Sequence, residues 1–255
     1  MTSSQLEKGQ EFRALHAGDP FVIPNPWDAG SARALAKLGF KALASTSGGF
    51  AQTLGRSDGE VSLDEVVDHA RALDRATDLP VSMDLEHGYG PEPADAARAI
   101  TSVAAAGAVG GSIEDWDPSG FIYDIGLAAE RVAAAAAAAR ALDFPFTFTA
   151  RAENHFRSNP DLEDTIRRLQ AYEAAGADVL YAPGLRTDDE IRTVCATVSK
   201  PVNVLAFPDM SMDRIAAAGA QRVSLGSWLS HNAYNAGMAV ARSIRETGDF
   251  SALSA

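Results

Sequence analysis

Val81-Ser82-Met83-Asp84-Leu85-Glu86-His87-Gly88-Tyr89-Gly90 begins as an apolar run and ends in two acids, a histidine and a glycine-rich turn. A short apolar run closed by turn residues reads as a buried strand. Working outward in both directions, similar runs recur at Phe21 to Pro24, Ala42 to Ser45, Gly110 to Ile113, Phe146 to Ala150, Val179 to Tyr181, Val202 to Leu205 and Arg222 to Leu225. With Val81 to Asp84 that makes eight. Helix-like stretches such as Leu63 to Thr77, Ala94 to Ala106 and Leu162 to Ala175 lie between them. Strands alternating with helices of this length imply parallel βαβ units. Eight such units in 255 residues predict one α/β domain, a (β/α)8 TIM barrel spanning residues 1–255.

The junctions agree with this reading. Gly39, Gly107, Gly176 and Gly219 each stand between a helix-like stretch and the next strand, where a left-handed residue ends a helix. No Pro/Ser/Gly-rich linker divides the chain. Residues 1–18 predict an extra helix before the first strand, and residues 228–245 a C-terminal helix. The alanine run 133–139, flanked by Arg131 and Arg140, predicts an exposed barrel helix.

The net charge of −12 repels nucleic-acid phosphates and anionic membranes, and no basic cluster breaks the pattern. Neither partner is expected. The single cysteine, Cys195, excludes an internal disulfide. It lies on a predicted helix away from the strand ends and reads as a structural thiol. No apolar stretch approaches the ~18 residues of a membrane helix, and the N-terminus lacks a signal-like run. A cytoplasmic setting is expected.

Catalysis in such barrels sits where strands end, and these ends are rich in chemistry. The first runs into Asn25, Trp27 and Asp28. The second runs into Ser45-Thr46-Ser47-Gly48-Gly49, whose exposed backbone N–H groups suit a carboxylate or phosphate, with Asp58 and Glu60 following. The third gives Asp84 and Glu86, two apart and so on one side of an extended chain. The fourth gives Glu114 and Asp115, the fifth Arg151, the seventh Asn203. Crowded carboxylates repel unless a cation sits among them. Oxygen donors suit Mg2+, with Mn2+ as a substitute. Asp84, Glu86 and Glu114 are the expected metal set. Arg151 is expected to present a planar fork to a substrate carboxylate.

These segments, in order, resemble the isocitrate lyase/phosphoenolpyruvate mutase superfamily. The resemblance rests on Asn25-Pro26-Trp27-Asp28-Ala29-Gly30-Ser31-Ala32, Ser45-Thr46-Ser47-Gly48, Ser57-Asp58-Gly59-Glu60, Asp84 to Gly90, Ile113-Glu114-Asp115, Ala150-Arg151 and Pro201 to Leu205. It implies a barrel, often tetrameric with the last helix swapped between subunits, that binds Mg2+ and a 2-oxo or 2-hydroxy carboxylate and stabilises an enolate or moves a phosphoryl group. It implies Asp84 as direct metal ligand, with Asp58, Glu86 and Glu114 holding metal-bound water. Trp27, Ser45, Ser47, Gly48, Asp84, Arg151 and Asn203 then form the substrate-binding set, and Asp58, Glu114 and Arg151 take catalytic roles. The chain departs from the pattern after strand four. Asp115-Trp116-Asp117-Pro118-Ser119-Gly120-Phe121 carries neither the cysteine segment of the lyases nor the Lys/Asn segment of the phosphonomutases.

The expectation is therefore a Mg2+-dependent lyase or decarboxylase of an oxaloacetate-like acid, assembled as a dimer or tetramer. A phosphonomutase or phosphonate hydrolase, and a barrel that binds a keto acid without turnover, are the alternatives. His87, His155 and His231 are candidates for acid–base work, Tyr89 for the pocket wall, and Trp116 with Phe121 for a lid.

Overall fold

The computed structural model describes residues 4–157 and 159–254. Its strands in chain order are β1 (Phe21–Ile23), β2 (Leu43–Ala44), β3 (Val81–Asp84), β4 (Gly110–Glu114), β5 (Trp116–Asp117), β6 (Phe121–Ile122), β7 (Thr147–Arg151), β8 (Val179–Tyr181), β9 (Val202–Leu205) and β10 (Arg222–Ser224). Eight of them form one parallel sheet in the order β1-β10-β9-β8-β7-β4-β3-β2. The two edges nearly meet: the Ala44 N–H donates to the Pro24 carbonyl at 3.1 Å. All eight expected runs are strands of this barrel. The remaining pair, β5 and β6, forms a small antiparallel hairpin after β4 that the sequence reading treated as loop.

The helices are α1 (Gln5–Leu15), α2 (Ala29–Lys37), α3 (Ser47–Thr53), α4 (Leu63–Ala76), α5 (Pro93–Ala104), α6 (Ile125–Arg140), α7 (Leu162–Ala175), α8 (Asp188–Thr197), α9 (Met212–Ala217) and α10 (Trp228–Thr247), followed by a short 3-10 turn at Ser251–Ser254. Their starts follow local chemistry. Ser62 accepts from the Glu65 N–H while Glu65 reaches back, a reciprocal cap that satisfies two orphan donors. Their ends use glycine: Gly107 and Gly176 take φ of 110° and 105°, where a Cβ would strain the backbone.

One expectation needs correction. The alanine helix α6 is not an exposed helix. Ala128, Val132, Ala135, Ala136 and Ala139 are buried, as is Arg131 at 1% exposure, because alanine lets α6 pack closely between its neighbours α5 and α7. Conversely, α10 covers almost nothing of its own barrel. Ser230 is its only buried residue, and Trp228, Tyr234 and Met238 are 42%, 51% and 53% exposed. No described helix is long and apolar enough to cross a membrane.

Candidate active site

The C-terminal ends of the strands surround a cavity of about 160 Å3, lined among others by Ser45, Ser47, Asp58, Asp84, Arg151 and Asn203. A larger hollow of about 600 Å3 lies at the opposite face. Its lining has no convergent acids, so size does not select the site.

The β2 loop and β3 are bonded into one unit. The Asp84 N–H donates to Ser45 Oγ at 2.8 Å, and the Ser47 N–H donates to Asp84 Oδ2 at 3.2 Å. Gly48 fits closely: a Cβ there would lie 3.0 Å from Ser227 Oγ and 3.5 Å from Asp58 Cγ. Asn25, buried, ties three strand ends together by donating to the Ser45 carbonyl and accepting from the Leu225 N–H.

The segment after β3 is strained and braced. Glu86 and Tyr89 take φ of 47° and 60°, left-handed conformations that cost about 1–2 kcal/mol each for residues with a Cβ. Arg131, from α6, holds the shape. Its guanidinium donates to the carbonyls of His87 and Gly90, the latter at 2.7 Å, and stacks on Tyr123 at 4.6 Å. The turn directs the Glu86 carboxylate inward, where it accepts from Tyr89 Oη at 3.3 Å.

Arg151 is not the free fork expected from the sequence. Nη1 lies 3.1 Å from Asp84 Oδ1, and Nη2 lies 2.9 Å from Glu114 Oε2 and 2.6 Å from Glu153 Oε1. The expected metal set is likewise not gathered. Among the described residues no three His, Cys, Asp or Glu side chains close on one point. Arg151 spans Asp84 and Glu114, and Glu86 turns to Tyr89.

Arg151 faces Asp84, Glu114 and Glu153, and Arg157 stands 3.6 Å from Glu114 and 3.2 Å from Glu153, so three acids outnumber two guanidiniums. Burial pushes the Glu114 carboxyl well above its ordinary range, with Glu153 and Asp84 adding to it. Burial first, then Asp84 and Asp58, push Glu86 up to about 8. Asp58 stands at the exposed rim and is raised by desolvation and then by Asp84. Acids that repel one another across a shared space fit a small divalent cation that takes one direct carboxylate and keeps its waters. Tyr89 is held protonated by burial and by Glu86, so its hydroxyl is a donor.

Three contributors were given no role from the sequence, although Glu153 stands close behind Arg151 at the end of the fifth strand. Glu153, fully buried, grips Arg151 and receives its own position from Asp115, which accepts the Glu153 N–H at 2.7 Å. Arg157 stacks on Trp116 at 4.6 Å and reaches Glu153 Oε2 at 3.2 Å. Arg222 lines the cavity floor. The charge of Arg157 was readable; its direction was not. Asn203 lines the cavity as expected, but its amide already bonds Ser224 Oγ at 2.9 Å and Arg222 Nε at 2.8 Å. Trp27 lines a separate groove with Phe50, Leu54 and His69. His87 is half-buried, His155 sits against Glu190 at 3.7 Å, and His231 is exposed on α10. The hairpin is pinned by Asp117, which accepts from Tyr123 Oη at 2.6 Å and from the Ser119 N–H at 2.8 Å.

Known proteins share this arrangement of chain. A crystal structure from Burkholderia cenocepacia J2315, whose function is given only provisionally as lyase/mutase, is 48% identical with a TM-score of 0.95, covering 98% of this chain and 92% of that one. The 2-methylisocitrate lyase of Halalkalibacterium halodurans is 31% identical over 86% of this chain and 76% of its own length. The oxaloacetate decarboxylase of Bradyrhizobium diazoefficiens is 30% identical over 78% and 71%. The family model described as phosphoenolpyruvate phosphomutase matches residues 12–245. The chain therefore belongs to the phosphoenolpyruvate phosphomutase family, within the isocitrate lyase/phosphoenolpyruvate mutase superfamily.

Proposed function

We propose that this protein is a Mg2+-dependent carbon–carbon lyase of a small 2-oxo or 2-hydroxy carboxylate, with decarboxylation of an oxaloacetate-like acid through an enolate as its reaction. One observation carries the reading: Asp58 and Asp84 line the cavity beside the Ser45–Gly48 loop, and both charges act on Glu86, an excess of acid that a cation relieves. Asp84 is the direct ligand in this reading, and Asp58, Glu86 and Glu114 hold water around the ion. Bound there, Mg2+ supplies a Lewis acid that spreads enolate charge.

The chain's own groups do the rest. Backbone N–H groups of the Ser45–Gly48 loop receive the 2-oxo acid's carboxylate. Arg151 keeps the cavity wall in place, anchored by Glu153. As the bond to the departing carboxylate breaks, its electron pair enters the new C=C bond and the keto oxygen gains charge. CO2 leaves without a protein acid, and water protonates the enolate carbon. This chemistry suits a β5–β6 hairpin that carries no cysteine and no lysine. The missing lysine also disfavours phosphoryl transfer. Exposure of α10 supports a homo-oligomer, dimer or tetramer, in which a neighbour covers that helix.

The test is a turnover screen with oxaloacetate, isocitrate, methylisocitrate and phosphonopyruvate, each with Mg2+ and with a chelator. Oxaloacetate is expected to react fastest and only with the metal. Efficient isocitrate-type cleavage, with oxaloacetate decay no faster than in free Mg2+, overturns the reading. No turnover of any acid, with tight keto-acid binding, makes the protein a binding barrel.

A further inference from the structure

Arg222 begins β10, is 5% exposed and lines the floor of the active-site cavity. Its three nitrogens meet only neutral acceptors. Nε donates to Asn203 Oδ1 at 2.8 Å, Nη2 to Thr149 Oγ1 at 3.0 Å, and Nη1 faces His16 Nε2 at 3.2 Å. His16 is 2.8 Å from the Phe12 carbonyl through Nδ1, which places its proton there and leaves Nε2 to accept. Burial and the Arg222 charge hold His16 neutral, its pKa lowered to about 3. Among the described residues no carboxylate lies within ion-pair distance of Arg222. The other buried guanidiniums differ. Arg151 faces three acids, Arg168 pairs with Asp115 and Asp164, and Arg131 is wrapped by carbonyls. Burying a cation without a counter-ion is costly.

A guanidinium has five N–H donors, so two remain after these contacts. The wall mixes Ile23, Met83 and Leu205 with the small polar Ser82, Ser112 and Ser224, and the serines leave space that branched aliphatic side chains ordinarily fill in barrel interiors. The resulting space of about 160 Å3 holds roughly five waters or a four- to five-carbon acid. Its rim is acidic and its floor is cationic.

We propose that Arg222 is the specificity-determining residue for a second carboxylate, so that the substrate is a diacid whose 2-oxo acid end sits at the rim and whose far carboxylate pairs with the Arg222 guanidinium. The proposal rests on the lyase reading for the rim end only. It also fixes how Arg222 acts. A carboxylate paired with a buried cation is stabilised as a carboxylate and not as CO2. For oxaloacetate, Arg222 therefore improves binding and does not accelerate the loss of CO2.

The test compares two acids of equal chain length, 2-oxoglutarate and 2-oxopentanoate, which differ by one terminal carboxylate, with oxalate as a probe of the rim alone. Calorimetry in Mg2+ is run on wild type, Arg222→Met and Arg222→Lys. Wild type is expected to prefer 2-oxoglutarate by at least ~10-fold, the worth of a charge-assisted hydrogen bond. The preference should collapse to within ~3-fold in Arg222→Met and partly return in Arg222→Lys, with oxalate unchanged. With oxaloacetate, Arg222→Met should raise KM and leave kcat equal or higher. Removing this cation strands no acid, so the Met variant is expected to fold; if it does not, Arg222→Lys carries the comparison. A preference that survives in the variants, a wild type that does not distinguish the two acids, or an equal loss for oxalate overturns the proposal. Oxalate binding indifferent to Mg2+ overturns the lyase reading instead, while the paired acids still judge Arg222.

Discussion

Replacing Arg151 by methionine strips Asp84 of its ion pair and leaves Glu114 and Glu153 only the more exposed Arg157. Arg151 lies within 3.1 Å of all three, and their side chains are 15%, 7% and 0% exposed. Breaking a buried pair by removing one partner costs about 3–5 kcal/mol. With Arg157 still beside two of the acids, the middle of that range, about 4 kcal/mol, is the expected loss. For a chain of this size, that lowers the melting temperature by roughly 8–15 °C. Calorimetric melting at pH 7 in chelator, where no added cation substitutes, reads the effect. Arg151→Lys keeps the charge and should recover most of the stability, yet lose ~10-fold in turnover, because a point charge does not span three acids. A fall of less than ~3 °C in Arg151→Met, or a lysine variant as unstable as the methionine one, refutes the electrostatic account.

Wild-type protein should melt higher in millimolar Mg2+ with oxalate, by about 2.7 kcal/mol of stability at a hundred times the Kd; Asp84→Ala should abolish the gain, and indifference of the wild type in these melts would show that the cation assignment is wrong. Light scattering at micromolar concentration should give a multiple of 26.8 kDa, with a monomer mass counting against a partner over α10. His69 is buried, stacked on Phe50 at 3.9 Å, with Nε2 unbonded and its pKa lowered to about 4. Because the unfolded chain takes up that proton near pH 6.5 and the folded chain does not, stability should fall as pH drops from 6.5 towards 4. The loss at pH 5 is about 2 kcal/mol. Denaturant unfolding of wild type and His69→Leu at pH 7 and pH 5 checks this, and equal pH losses in the two would exclude His69 as the cause.

The barrel was legible because each strand is a short apolar run and each helix a longer periodic one, signals that survive without any tertiary knowledge. The charged residues at the strand ends were legible for the same reason: Asp84, Glu114 and Arg151 are the last residues of β3, β4 and β7. What each acid meets was not. Arg151 touches Asp84 across 67 positions, and only closure of the sheet decides that it grips acids instead of substrate. Arg222 opens a three-residue strand, too short for a period of two to say which side chain points inward. The alanine run gave no contrast between faces, so its buried side was invisible. Trp27 precedes Asp28, the cap of α2, and the cap's geometry turns it to an outer groove.

The brace from Arg131 to the carbonyls of His87 and Gly90 has a consequence for portability. The shape of residues 84–90 is not written within those residues. Two left-handed side-chain-bearing residues lie in a turn whose restraint arrives from a helix more than forty positions later. Transplanted into another barrel, the same seven residues would relax, and Glu86 would swing out to solvent. A graft that keeps the shape needs Arg131 and the Tyr123 ring beneath it, so this loop and the middle of α6 form one transferable unit separated in sequence.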